Sequence, residues 1–223
     1  ALKMLSRVVE ARAETARRQA TEQALRDWGV ALSTLAECQQ TLGLAEDARD
    51  SFEQCIEVRR QTLAQFPSDR HERDLAVVRT RGLADLLLRT GDPAAALAEI
   101  VDARTTLERL ADRASADARA HIDLAEADLL AMRALRDLGR IEEASRRSDE
   151  TAARISEARR RWPAEMNLAR QDAAALILRG DLEDMADRPG HAAAWYQRAV
   201  EAYRVVFAQI PGETELRGLG TAL

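Results

Sequence analysis

The sequence predicts an all-α fold, a right-handed superhelical solenoid built from antiparallel helix pairs. The first observation is an internal repeat, because a six-residue segment returns every 48 residues along the chain. A fixed period of this length is typical of a solenoid, in which each repeat buries its apolar face only against its neighbours. The second observation is the composition, which is rich in alanine, leucine and arginine and contains only 4% aromatic residues. This is the composition of a helical protein.

Each copy of the repeated segment is predicted to be a tight turn between two helices. Gly43, Gly91 and Gly139 each follow an apolar-periodic run, where the end of a helix favours glycine because the backbone takes a positive φ. Asp187 stands at this place in the fourth copy. A small residue follows five positions later and lets the second helix pack closely against the first. In the four copies it is Ala48, Ala96, Ala144 and Ala192.

A second marker recurs with the same period. Pro67, Pro163 and Pro211 follow the second predicted helix in three of the copies, and Ser115 takes that place in the remaining one. Proline stops a helix because it has no backbone N–H to donate. Two markers in phase indicate that the unit is a helix, a tight turn and a second helix.

These markers predict one array over residues 1–223. Residues 1–20 are the second helix of a truncated repeat, with an apolar stripe of Leu2, Leu5, Val8 and Val9 followed by Ala11 and Ala13. Residues 67–72 are a polar linker, the first helix of repeat two runs from Leu75 to Leu88, and residues 212–223 begin a fifth repeat. Both ends therefore cut through a repeat, and we expect the chain to be a piece of a longer multidomain protein. The four complete repeats, called repeats one to four, are 26–67, 70–115, 116–163 and 164–211.

The pattern resembles the tetratricopeptide repeat. That family has a leucine and a small residue in the first helix, then a turn glycine, an alanine, an aromatic residue, a second small residue and a closing proline. Repeat one matches in order with Leu35-Ala36, Gly43, Ala48, Phe52 and Cys55. Repeat two matches with Leu83-Ala84, Gly91, Ala96 and Ala103, with Ile100 at the aromatic position.

The chain departs from the family in length and in two positions. The common repeat has about 34 residues and this one has 48, so we expect a longer first helix and linker. Ser148 stands at the aromatic position of repeat three, and Arg179-Gly180 replaces the leucine and the small residue in repeat four. Long repeats of this kind resemble those of bacterial multidomain proteins, often joined to kinase, protease or nucleotide-binding modules.

The resemblance implies that the first helices line a concave groove that holds a peptide. Matching the leucine–small pair or the turn glycine carries the groove positions over onto repeats one to three, and Val30 is one of them. The candidate peptide-binding residues are Glu37, Gln40, Arg81, Asp85, Arg89, Arg133 and Arg136. The groove positions contain no lysine, so the carboxylate clamp of chaperone-binding members is not implied.

Four of the candidates are arginines on neighbouring predicted helices. The planar guanidinium fork suits carboxylates and phosphates, so we predict an acidic partner segment. The alternative is that Asp85 and Asp137 neutralise these arginines through internal salt bridges.

Other residues have structural interpretations. Trp28, Trp162 and Trp195 each lie on a helix face that also carries apolar residues, and we interpret them as core or interface anchors rather than ligand-stacking residues. Arg159-Arg160-Arg161 makes the second helix of repeat three basic, and we interpret this stretch as a solvated outer face.

The motif content argues against an enzyme and against a cofactor. His71, His121 and His191 share no metal-ligand spacing, and the chain has no glycine-rich phosphate loop or nucleophile motif. A net charge of −5 disfavours a nucleic-acid binder. The sequence contains no run of about 18 apolar residues, so it predicts no membrane span. Cys38 and Cys55 are interpreted as small core residues in a reducing compartment, the cytoplasm.

The sequence therefore favours a non-catalytic scaffold that holds a peptide segment, or a neighbouring domain of the same polypeptide, in its groove. The alternative is a structural spacer or self-association module that positions a catalytic domain.

Overall fold

Helices and the turns that connect them make up the part of the chain described by the computed structural model, residues 2–113 and 117–209, with side chains to residue 206. None of these residues lies in a β-strand, so the all-α prediction is confirmed for them. Ser115, Pro211 and the predicted fifth repeat lie outside the described residues.

The chain divides into two compact units, residues 1–110 and 111–223, called the N-terminal and C-terminal units. The N-terminal unit contains α1 (Leu2–Gln19), α2 (Glu22–Thr41), α3 (Ala45–Gln65), α4 (Asp69–Val77), a π-helical segment (Val78–Ala84), α5 (Asp85–Arg89) and most of α6 (Pro93–Arg113). The C-terminal unit contains α7 (Ala118–Asp137), α8 (Ile141–Arg161), α9 (Met166–Met185) and α10 (Pro189–Gln209).

The four predicted turns share one backbone geometry. The φ angle is 77° at Gly43, 84° at Gly91, 72° at Gly139 and 54° at Asp187. In each turn the next residue donates its N–H to the carbonyl oxygen five positions earlier, over 2.8 to 2.9 Å. These bonds satisfy carbonyl groups that the end of a helix leaves without partners. The prediction of four equivalent turns, including the one with aspartate, is confirmed.

The four small residues after the turns are fully buried. Ala48, Ala96 and Ala144 are 0% exposed and Ala192 is 2% exposed. This agrees with the prediction that a small side chain at this position allows the two helices of a repeat to pack closely. In the N-terminal unit the buried side chains around Ala48 include Leu32, Phe52 and Cys55. The Cys55 thiol donates to the carbonyl oxygen of Gly29 over 3.2 Å.

The helix α1 agrees only in part with its predicted apolar stripe. Val8 and Ala11 are exposed, and Leu2, Leu5 and Val9 are half-buried. The buried residues are Ala13, which belongs to the predicted stripe, and Ala16. Ala16 packs with Ala24 and Leu25 of α2 in a cluster that Trp28 joins, which agrees with the anchoring role expected for this tryptophan. Trp162 likewise packs against a buried cluster of the C-terminal unit.

The linker predicted at residues 67–72 is wrong. Ser68 caps α4, because its hydroxyl oxygen accepts from the backbone N–H of His71 over 3.2 Å, and the helix starts at Asp69. An N-cap serine satisfies a backbone donor at the first turn of a helix. The His71 side chain is buried, and its Nε2 lies 3.0 Å from a carboxylate oxygen of Glu22. The first helix of repeat two is therefore longer than predicted and the linker is shorter.

Two helical glycines allow an aromatic ring to approach the backbone. A Cβ built on Gly82, in the π-helical segment, would lie 2.7 Å from ring carbons of Phe52. A Cβ on Gly180 would lie 2.4 Å from a ring carbon of Tyr196. Gly180 belongs to the pair that departs from the leucine–small pattern, and the structure shows that a small residue is needed there. None of the described helices combines the length and hydrophobicity that crossing a bilayer requires.

Replacing Ala96 with leucine should destabilise the chain by roughly 1–3 kcal/mol, because the larger side chain must be forced between packed helices. The measurement is the free energy of unfolding from urea denaturation. An Ala96→Leu variant with the wild-type midpoint and slope would contradict the close packing described for this position.

The Gly180→Ala substitution should also destabilise the chain, by about 1–3 kcal/mol, because the new methyl group overlaps the Tyr196 ring. Gly29→Ala is the matched control, since its Cβ would meet nothing closer than the Arg59 side chain at 3.6 Å. That control should be neutral or stabilising by up to about 1 kcal/mol, the helix propensity gained over glycine. If Gly180→Ala and Gly29→Ala shift the melting temperature equally, contact with the Tyr196 ring does not limit the size of the residue at position 180.

Candidate functional site

The candidate groove residues lie on the first helices of the repeats, and in each unit we call the surface that they occupy the first-helix face. In the N-terminal unit they are on α2, the π-helical segment and α5, and in the C-terminal unit they are on α7.

In the N-terminal unit, three candidates meet at one carboxylate. The Gln40 amide donates to Asp85 Oδ2 over 3.3 Å, which joins α2 to α5. Arg89 Nε donates to the same oxygen over 2.7 Å. Glu37 and Arg81 are both exposed, and Arg81 also has an interaction partner. Asp85 therefore holds neighbouring helices together and neutralises Arg89.

In the C-terminal unit, Arg136 is held by two carboxylates. Its Nη1 donates to Asp181 Oδ2 over 2.6 Å, and its guanidinium also contacts Asp137 at 2.9 Å. Burial alone would lower the pKa of Arg136, but the hydrogen bonds and charges of Asp137 and Asp181 outweigh it and raise that pKa. Arg133 is half-buried and also has a partner. Arg136 therefore stays charged, and its charge is neutralised within the chain.

The Asp181 carboxylate receives a second donor from α10. The Tyr196 hydroxyl donates to Asp181 Oδ1 over 3.0 Å. Burial, followed by the hydrogen bond to Asp181 and its negative charge, raises the pKa of Tyr196 from 10.0 to about 12. Asp181 thus connects α7, α9 and α10.

The two units repeat the same contact. Gln40 pairs with Asp85 and Arg136 pairs with Asp181, and both pairs span 45 residues. The second pair lies 96 residues after the first, which is two periods of the repeat. A polar bridge between the first helices of neighbouring repeats is therefore a regular feature of each unit.

Sequence reasoning missed Asp181, although a signal for it existed. Repeat four lacks the leucine–small pair, so no groove position was carried over onto it. Counting two periods forward from Asp85 would have identified Asp181.

The internal salt bridging that the sequence left open is confirmed for two of the four arginines. Arg89 binds Asp85, and Arg136 binds Asp137 and Asp181. Like-charge repulsion at these two arginines therefore needs no external partner to relieve it. The prediction that the groove residues bind a peptide stays a prediction.

Buried carboxylates elsewhere in the C-terminal unit were not expected. Asp128 of α7 is 0% exposed and lies 3.0 Å from Arg154 and 3.5 Å from Arg147. Glu183 is buried, with Arg188 Nε at 2.8 Å and Arg179 Nε at 3.2 Å. Removing one partner of such a buried pair leaves an uncompensated charge, which is strongly destabilising. Asp128 joins α7 to α8, and Glu183 joins α9 to the turn that follows it.

Metal-ligating side chains do not converge in the described ranges. Within residues 2–113 and 117–209, the structure contains no group of three or more His, Cys, Asp and Glu residues placed to hold an ion. The buried Cys55 is also poorly suited to nucleophilic chemistry, because burial raises the pKa of its thiol and the thiolate is the reactive form.

The Tyr196 phenol should ionise near pH 12, as monitored by absorbance of the tyrosinate, with Tyr196→Phe assigning the transition. Because the folded chain favours the neutral phenol, its contribution to stability is fully present below pH 10 and is lost as the pH rises through about 12. Asp181→Asn should lower the pKa of Tyr196, since it removes a negative charge next to the phenol. An unchanged titration in Asp181→Asn would contradict the hydrogen bond.

Comparisons with known proteins inform the fold. No protein-family model and no curated protein matches the chain. The chain is similar in structure to a protein described as BtubC (BKLC) from P. vanneervenii, known from a crystal structure, with a TM-score of 0.59 and 15% sequence identity. The likeness covers 95% of this chain and 91% of that one. At this identity, what the two proteins are shown to share is their fold.

Proposed function

We propose that this chain is a tetratricopeptide-like, right-handed solenoid that acts as a non-catalytic scaffold for protein–protein interaction. The four equivalent turns and the four buried alanines support a repeat architecture. The scaffold holds a partner segment, or a neighbouring domain of the same polypeptide, on its first-helix face.

The observation that carries the binding role is the exposure of α2 at a groove position. Val30 is 53% exposed, and Glu37 and Thr41 on the same face are also exposed. A partner that covers Val30 removes its apolar surface from water, which favours binding. Since Arg89 and Arg136 are neutralised internally, we expect this partner to contact the face through apolar and mixed polar groups rather than through many acidic residues.

A spacer is the second candidate, and the polar bridges favour it. Gln40–Asp85 and Arg136–Asp181 join the first helices of neighbouring repeats, so they stiffen each unit without any ligand. In that case the chain fixes the distance between other domains or associates with a second copy of itself.

The proposed location is the cytoplasm. Cys38 and Cys55 are both free thiols, which suits a reducing compartment. A net charge of −5 supports a protein partner over nucleic acid.

A photo-crosslinking residue tests the binding role. Placed at Val30 in the full-length protein in its native cells, it should give a crosslink to one defined protein or domain. Val101 on α6 is the matched control, because it is 54% exposed against 53% for Val30 but lies on a second helix. Crosslinking at position 30 alone supports the scaffold. Equal products at both positions, or none at position 30, would contradict it. A crosslink between two copies of the chain would favour the self-association alternative.

A further inference from the structure

A cleft in the C-terminal unit is lined by three of its helices. It has a volume of about 470 Å³ and lies between α8, α9 and α10, and we call it the α8–α10 cleft. This volume is within the range of pockets that bind ligands. The residues of the cleft that matter here are Arg159, Arg160, Asp172, Leu176, Trp195 and Arg198.

The cleft faces away from the candidate groove residues. On α9 the cleft uses Asp172, whereas the first-helix face uses Asp181, nine residues later. Nine residues are about two and a half turns at 3.6 residues per turn, so the two side chains leave opposite sides of the helix. The α8–α10 cleft is therefore separate from the site of the proposed function.

Trp195 gives the cleft a fixed aromatic wall. The Arg179 guanidinium lies 5.7 Å from the ring centroid, and Arg179 is itself held by Asp149 at 2.9 Å and Glu183 at 3.2 Å. The Arg198 guanidinium lies 4.4 Å from the ring centroid. Leu176 adds an apolar side chain nearby. Trp195 is only partly buried, so part of its ring can contact a ligand in addition to its structural role.

The cleft is basic although the whole chain is acidic. Three arginines and one aspartate are the charged residues that line it. Arg159 pairs with Asp172, and Arg160 pairs with Glu157, one turn earlier on the same helix. Such exposed pairs contribute little and exchange readily. Within the part of the chain that the structure describes, Arg198 has no carboxylate at ion-pair distance.

We propose that the α8–α10 cleft binds an acidic peptide segment of a partner protein. The carboxylates of the segment accept hydrogen bonds from Arg198 and Arg160, which are charge-assisted and therefore strong. An apolar side chain of the segment packs on Trp195 and Leu176. A peptide is favoured over nucleic acid because the net charge of −5 repels a long polyanion, whereas a single basic cleft attracts a short one.

The probe is a short fluorescein-labelled peptide in which one phenylalanine is flanked by glutamates. Its binding to the wild-type chain is measured by fluorescence anisotropy. We expect Arg198→Gln to weaken binding by about tenfold and Arg160→Gln to weaken it to a similar degree, since central arginines dominate such interfaces. Raising the salt concentration should weaken wild-type binding because salt screens exposed charges.

Two arginine variants serve as matched controls. Arg204 is on the same helix as Arg198 and pairs with Glu201 at 2.7 Å. Arg60 on α3 pairs with Glu57 three residues earlier, as Arg160 pairs with Glu157. Arg204→Gln and Arg60→Gln should change affinity by no more than about twofold. Unchanged helical circular dichroism in all four variants separates a binding defect from unfolding.

Several results would contradict the proposal. The proposal fails if the wild-type chain does not bind the peptide, or if a peptide with glutamine in place of each glutamate binds as tightly. It also fails if Arg198→Gln and Arg204→Gln weaken binding equally. Tighter binding of a single-stranded oligonucleotide than of the acidic peptide would assign the cleft to nucleic acid instead. None of these results depends on the crosslinking from Val30, so the two proposals can fail separately.

Discussion

The close approach of two helices across each turn is the constraint on which the rest of the structure depends. A positive φ at the turn residue reverses the chain, and a fully buried alanine five residues later sets how closely the helices pack. Gln40 and Arg136 each lie three residues before a turn glycine, and Asp85 lies six residues before the next one. The polar bridges recur because their partners are placed by the turns.

The sequence predicted what is encoded locally and missed what depends on tertiary contacts. Glycine and alanine at the turns were readable because backbone φ and side-chain volume belong to single residues. The start of α4 was missed although Ser68 carried a capping signal. The burial of Asp128 between Arg147 and Arg154 could not be read, because an aspartate on a helix is most often solvated.

Charged side chains of the candidate groove hold helices of the same unit together. Arg136 binds Asp181 on the first helix of the next repeat, and Arg89 binds Asp85 on its own helix. In contrast, Arg198 contacts the Trp195 ring, and no carboxylate among the described residues lies at ion-pair distance from it. Whether an arginine can offer its charge to a ligand therefore depends on its own ion pairs, and not on how many arginines lie near it in the sequence.

The fourth turn has aspartate where the other three have glycine, and an ion pair spans it. Aspartate at a φ of 54° is more strained than glycine in the same region. The ion pair of Glu183 with Arg188 spans this turn, and the Arg188 side chain is half-exposed. Mobile ions screen such exposed charges. Local opening of this turn, seen as amide hydrogen exchange, is consequently coupled to ionic strength.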